Sequence, residues 1–300
     1  MVRKMENILK RLRQKEIIVG DGALGTMLMQ RGLKFGDPPE TFNFSRLRDL
    51  EEIASLYLEA GAELITTNTF GASPLRLLQY ALEKDTEAIN RNAVDAVRRA
   101  VGNNAYVSGS VGPSGKMLKP LGNTESEAIS ASYRRQISAL LEAGIDLVCI
   151  ETMIDLKEAA LAIQAARSLD PRIPIMATVT FNSTPQGFFM ITGASIKDAA
   201  AALEAAGADI IGSNCGEGAT QMVGIAREFR RHAQLPIAIQ SNAGLPSKSE
   251  SGLVYSENPE FVAAKAVELM KLGVQIIGGC CGTTPDHIRA IRKTVDAHRR

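Results

Sequence analysis

Short apolar, β-branched runs alternate with longer amphipathic stretches from one end of the chain to the other. The runs EIIVGDG, ELITTNT, AYVSGSVG, DLVCIET, PIMATVTF, DIIGSNC, PIAIQSNAG and QIIGGCC predict strands, and a helical pattern follows each one, directly or after a loop. Eight such units predict a closed parallel (β/α)8 TIM barrel, a single domain over residues 1–300. Several helical patterns end alike, in LEAGAE, LEAGID, LEAAGAD and MKLGVQ, where glycine can take the left-handed cap before the next strand. The longest irregular pieces, Arg31–Arg48, Gly112–Asn123 and Asn182–Ala194, read as insertions in the barrel and not as linkers. The opening MVRKMENILKRLRQKEI predicts an amphipathic helix and lacks the apolar core of a secretory signal.

A barrel of this type carries its chemistry at the carboxyl ends of the strands, so those positions are read together. They hold Asp21 after strand one, Thr67 and Asn68 after strand two, Glu151 after strand four, Cys215 after strand six, Asn242 after strand seven, and Cys280 with Cys281 after strand eight. Strands six and eight flank strand seven, so three thiols can meet at the mouth. Cys149 precedes its strand end and is expected in the core.

Composition narrows the chemistry. Hydrophobic residues make up 45%, charged residues 22%, and the net charge is +1, which gives no disorder signature and no basic field for nucleic acid. No run reaches membrane-spanning length, and the expected compartment is the cytoplasm. Thiols there stay free or bind metal more often than they pair, and a vicinal Cys280–Cys281 disulfide would be strained. Three converging thiolates suit Zn²⁺, which binds sulfur at about 2.3 Å and keeps an open fourth position when the protein supplies three ligands. So much negative charge makes the metal a poor activator of water. It suits the capture of another thiol, whose free pKa is about 8.5, as a nucleophilic thiolate. His232, His287 and His298 fall on helical patterns and are expected on the solvated surface.

GDGALG, Gly20–Gly25, matches a dinucleotide-binding glycine pattern, but it carries Asp21, and TTNTF ends the second strand where an acidic residue would be required. GGCCGTTPD resembles a phosphate-binding turn, yet its thiolates would repel phosphate. Asp21 and Glu151 can act as turn or cap residues, or can bind the ammonium of an amino-acid substrate from across the mouth. The glycine turns would then offer amides to its carboxylate. Asn242 is either a turn former or a polar neighbour that fills the open metal position before substrate arrives.

GDGALGTMLMQRGL, TTNTFGAS, GSVGPSG, ETMID, GSNCG, SNAG and GGCCGTTP together resemble, in order along essentially the whole chain, the zinc-dependent homocysteine S-methyltransferases. The likeness is strongest to the amino-terminal, homocysteine-binding barrel of the cobalamin-dependent methionine synthases. It implies that Cys215, Cys280 and Cys281 ligate zinc and that Asp21 and Glu151 bind L-homocysteine; Thr67, Asn68 and Asn242, at strand ends, are further substrate-binding candidates. Ser241 stands where the family often has proline. The eighth helix runs to Arg300 without the folate and cobalamin domains that follow this barrel in the full synthases, so the methyl group is expected from outside it. With no tryptophan and 5% aromatic residues, a cage for an onium donor is disfavoured. Methylcobalamin on a corrinoid protein or cobalamin domain is the favoured donor. S-methylmethionine or another onium donor, and a non-catalytic zinc-binding or corrinoid-docking subunit, remain as alternatives. A Schiff-base aldolase barrel would need a lysine at a strand end, and none of the predicted ends has one.

Overall fold

Period-two alternation builds the barrel. In the computed structural model, which describes residues 6–249 and 252–298, all eight predicted strands form. They are β1 (Ile18–Val19), β2 (Leu64–Thr66), β3 (Tyr106–Val111), β4 (Leu147–Met153), β5 (Ile175–Val179), β6 (Ile210–Cys215), β7 (Ile237–Ser241) and β8 (Ile276–Gly279). Every pairing is parallel, in the order β1-β8-β7-β6-β5-β4-β3-β2. A bridge from Gly20 to Leu64 brings β2 back to β1 and closes the ring. A helix follows each strand, from Leu47–Glu59 between β1 and β2 to Pro285–His298 after β8.

One phase of each strand points inward. Ile18, Leu64, Tyr106, Leu147, Cys149, Met176, Ile210, Ala238 and Ile276 form the inner core, whereas Val107, Val148, Ile175, Ile211, Ile239 and Ile277 belong to the larger core shared with the helices. The opening helix, Ile8–Arg13, presses Ile8 and Leu12 into the inner cluster and so closes the amino end of the barrel. Gln275 Nε2 donates to the carbonyl of Leu12 at 2.5 Å and fixes that plug to β8. Further up, the same inward series turn polar: Ser108 and Ser110 on β3, Glu151 on β4, Thr178 on β5, Asn214 on β6 and Gln240 on β7. An apolar floor under a polar mouth is therefore written into alternate residues of each strand.

All four predicted glycine caps are left-handed, with φ of 97° at Gly61, 87° at Gly144, 101° at Gly207 and 78° at Gly273. Apart from β4 the strands are shorter than predicted, so Asp21, Thr67, Asn68, Asn242, Cys280 and Cys281 lie in the loops just beyond them. Two insertions form antiparallel hairpins. Asn182–Thr184 with Gly187–Phe189 lies inside the insertion predicted after strand five, whereas Pro246–Ser249 with Gly252–Tyr255 is not predicted. The stretch PSKS carries no apolar alternation to signal a strand. No helix among the described residues is long and apolar enough to cross a membrane.

Candidate active site

Cys215 ends β6, and Cys280 and Cys281 follow β8, with β7 between them. The three sulfurs lie within 4.8 Å of one another, the one such cluster among the described residues. The Cys215 and Cys280 Sγ atoms are 3.0 Å apart. Cys280 continues the inward series Ile276, Gly278, while Cys215 falls one residue out of phase after Asn214. A left-handed backbone at Cys215, φ 64°, turns it back to the centre. The turn after β7 ties the two segments together: Asn242 N–H donates to the Cys215 carbonyl at 3.3 Å, and Ala243 N–H to that of Cys281 at 3.0 Å. Gly282 has φ 81°, and the Tyr255 ring from the second hairpin occupies the space a side chain there would need.

The sulfurs cannot all ionise unaided. Hydrogen bonds from Cys215 and Cys280 pull the Cys281 thiol down to about 3. Cys280 is pushed well up by its bonds to Cys215 and Cys281 and by burial. For Cys215 the bond to Cys280 lowers the pKa, but the bond to Cys281 and burial outweigh it and the thiol ends raised. Three sulfurs this close resist ionising together, and a soft divalent cation among them would favour their thiolate forms.

The same cavity, about 440 Å³, is lined by Asp21, Glu151 and the turn Gly22–Thr26. Asp21, 4% exposed, accepts the Thr66 N–H at 2.7 Å and the Thr66 hydroxyl at 3.0 Å. Burial outweighs those bonds, and with the Glu151 charge nearby raises its pKa to about 7. Glu151 continues the inward series Leu147, Cys149 and accepts the Ser110 hydroxyl. Burial, reduced by that bond and reinforced by Cys281, raises it to about 7 as well. Glu151, on β4, stands across the barrel from β8 and its two cysteines. Because closure pairs β1 with β8, Asp21 is beside the cysteine loop, its carbonyl accepting Gly279 N–H at 2.8 Å, which corrects the expectation that both carboxylates face the thiols. Gly22 allows this close approach, since a Cβ there would sit 2.7 Å from Thr283 Oγ1 and 2.9 Å from Tyr57.

Thr67 and Asn68 also line the cavity, but their polar groups brace the wall. Thr67 Oγ1 meets Thr69 Oγ1 at 2.7 Å and accepts Ser110 N–H at 3.2 Å. Asn68 Nδ2 donates to the Pro39 carbonyl and to Asn43 Oδ1. Asn242 Nδ2 donates to the Gly216 carbonyl at 2.7 Å, and its buried Oδ1 has no partner. Cys149 is buried in the inner core, as expected. His232 and His298 are exposed, but His287 is 7% exposed, against expectation. Its Nδ1 accepts Thr284 N–H at 3.1 Å and its Nε2 meets the Glu257 carbonyl at 2.9 Å, so it clamps the start of the last helix to the β7 insertion. Several cavity residues escape the sequence reading: Thr66, Ser110, Thr152, and on the outer wall Phe70, Arg76 and Tyr80. Asn214 is missed too, although its inward phase next to Cys215 marks it.

A family model described as homocysteine S-methyltransferase matches residues 18–295. The chain belongs to the homocysteine S-methyltransferase family. It is 35% identical over 306 residues to the methionine synthase of Mycobacterium leprae (strain TN), covering 96% of this chain and 25% of that protein. The methionine synthase of Mycobacterium tuberculosis (strain ATCC 25618 / H37Rv) is likewise 35% identical, over 94% of this chain and 25% of its own length. The chain thus spans about a quarter of these relatives. In fold it is similar to the metallated homocysteine methyltransferase MmuM of Escherichia coli, with TM-score 0.79, 24% identity, and coverage of 96% and 99% of the two chains.

Proposed function

We propose that this barrel transfers a methyl group to the thiol of L-homocysteine, giving methionine, at a zinc held by Cys215, Cys280 and Cys281. The observation that carries the reading is the placement of three thiols within 4.8 Å of one another beside two buried carboxylates in one cavity. Zinc, when bound, would stabilise the substrate sulfur as a thiolate at neutral pH and leave it nucleophilic. The chain's own residues do the rest. Asp21 and Glu151, poised near neutrality, gain their charged form when an ammonium arrives between them, and so hold the amino-acid end of the substrate. The amides that open the Leu24–Gln30 helix are offered to its carboxylate, the Ala23 N–H being held by Thr283. Thr67 and Asn68 act on this substrate through the wall they brace. The buried Oδ1 of Asn242, which has no partner, would be available as an oxygen donor to the metal.

The methyl donor comes in from the open side, and methylcobalamin on a corrinoid protein or cobalamin domain fits best. The cavity lining carries Phe70 and Tyr80, two rings that an onium donor could use, but Arg76 and the buried Glu40 stand together there and leave no net negative charge to favour a sulfonium or quaternary ammonium. The test is an assay of the zinc-loaded chain with homocysteine against methylcobalamin, methyltetrahydrofolate, S-methylmethionine and betaine. Methionine from methylcobalamin supports the reading; methionine from an onium donor alone reassigns the donor; none from any donor favours a docking subunit.

A further inference from the structure

We propose that Asn214 is the positioning residue of the thiolate centre, donating N–H to the sulfurs of Cys215 and Cys280 while it locks the backbone beside Glu151. This rests on the zinc reading above. The orientation of its amide is not arbitrary. Asn214 Oδ1 accepts the backbone N–H of Thr152 at 2.8 Å and the hydroxyl of Thr178 at 2.8 Å. A backbone N–H can only donate, so the oxygen must face Thr152 and the NH₂ group must face the other way. One N–H then donates to Thr152 Oγ1 at 2.7 Å. The other points at the sulfurs, with Nδ2 3.9 Å from Cys215 Sγ and 3.8 Å from Cys280 Sγ.

Strain converges on the same residue. Thr152 and Cys215 both hold left-handed backbones, φ 58° and 64°, which is uncommon for any residue but glycine and rarest for a β-branched one such as Thr152. Each lies one residue out of phase, after Glu151 and Asn214 respectively, and each is turned toward the Asn214 amide. The amide binds Thr152 through both its backbone and its hydroxyl, so one side chain spans β4, β5 and β6. It thereby fixes the carboxylate strand end relative to the thiols. Its N–H on sulfur would also draw charge from a thiolate-rich metal, the task of groups surrounding metal ligands.

Asn214→Asp separates these roles. It is nearly the same shape and keeps an acceptor for Thr152 N–H and Thr178, but it replaces the donor aimed at the sulfurs. Asn214→Ala removes the donor without adding charge. Cobalt(II) substituted for zinc reports the thiolates directly, because loss of an N–H···S bond raises the sulfur lone pairs and moves the sulfur-to-cobalt absorption to longer wavelength. We expect that red shift in both variants, with metal binding about tenfold weaker in a chelator competition. Thr178→Val, which leaves the sulfur contact in place, should keep the wild-type band. A band at the wild-type wavelength in both Asn214 variants would overturn the proposal. So would loss of native circular dichroism in both, which would make Asn214 part of the scaffold alone. A wild-type chain with no sulfur-to-cobalt absorption would overturn the zinc reading itself, and the role of Asn214 with it.

Discussion

Cys215 Sγ and Cys280 Sγ meet at 3.0 Å although 65 residues separate them in the chain. That spacing is well beyond the roughly 2.05 Å of a disulfide, and all four cysteines are free. Two strand ends on either side of β7 deliver them, together with Cys281, to one point.

The first prediction is therefore one zinc per chain. Replacing Cys215, Cys280 or Cys281 singly with alanine should remove most of the metal and all methyl transfer, by elemental analysis and assay. Cys149→Ala should retain both, because Cys149 packs in the inner core below the mouth. Full occupancy in Cys280→Ala would remove it from the ligand set.

The carboxylates should act on substrate and not on metal. Asp21→Asn or Glu151→Gln should leave zinc in place and weaken homocysteine binding by about 1 to 3 kcal/mol, the scale of a charged hydrogen bond. An analogue lacking the α-amino group should bind wild type and variants alike.

That preference should depend on pH. Burial raises both carboxyls to about 7, so the charged forms that hold an ammonium are present above that value and are lost as pH falls through it. The ratio of wild-type to Asp21→Asn affinity should be largest near pH 8 and shrink towards one near pH 5.5, measured by calorimetry. A ratio independent of pH would mean that Asp21 does not titrate in this range.

The barrel floor should be separable from its mouth. Leu12→Ala removes a side chain 2% exposed from the inner cluster and should cost about 2 to 5 kcal/mol of stability. Zinc content at low temperature should be unchanged, since the plug and the cysteines lie at opposite ends of the strands.

Much of this was legible in the chain because alternation and strand-end chemistry are local signals. The eight strands, their glycine caps, and the positions of Cys215, Cys280, Cys281, Asp21 and Glu151 follow from runs of a few residues each. What escaped was set by tertiary contacts. Strand alternation directs Cys215 outward, and only its left-handed backbone returns it to the centre. Ring closure, not sequence distance, puts Asp21 next to the cysteine loop. Pro39, Asn43 and Ser110, from distant segments, engage the Asn68 amide N–H and the Thr67 hydroxyl, contacts that no local pattern announces. His287 reads as a surface residue on its helix until the β7 insertion covers it.

In the proposed reaction the homocysteine sulfur becomes a ligand of a three-cysteine zinc. X-ray absorption at the zinc edge, on the loaded chain before and after homocysteine, tests it most directly. Three sulfurs at about 2.3 Å with one lighter ligand are expected before substrate, and four sulfurs once it is added. A sulfur count that stays at three with homocysteine bound, or that starts below three, would contradict it.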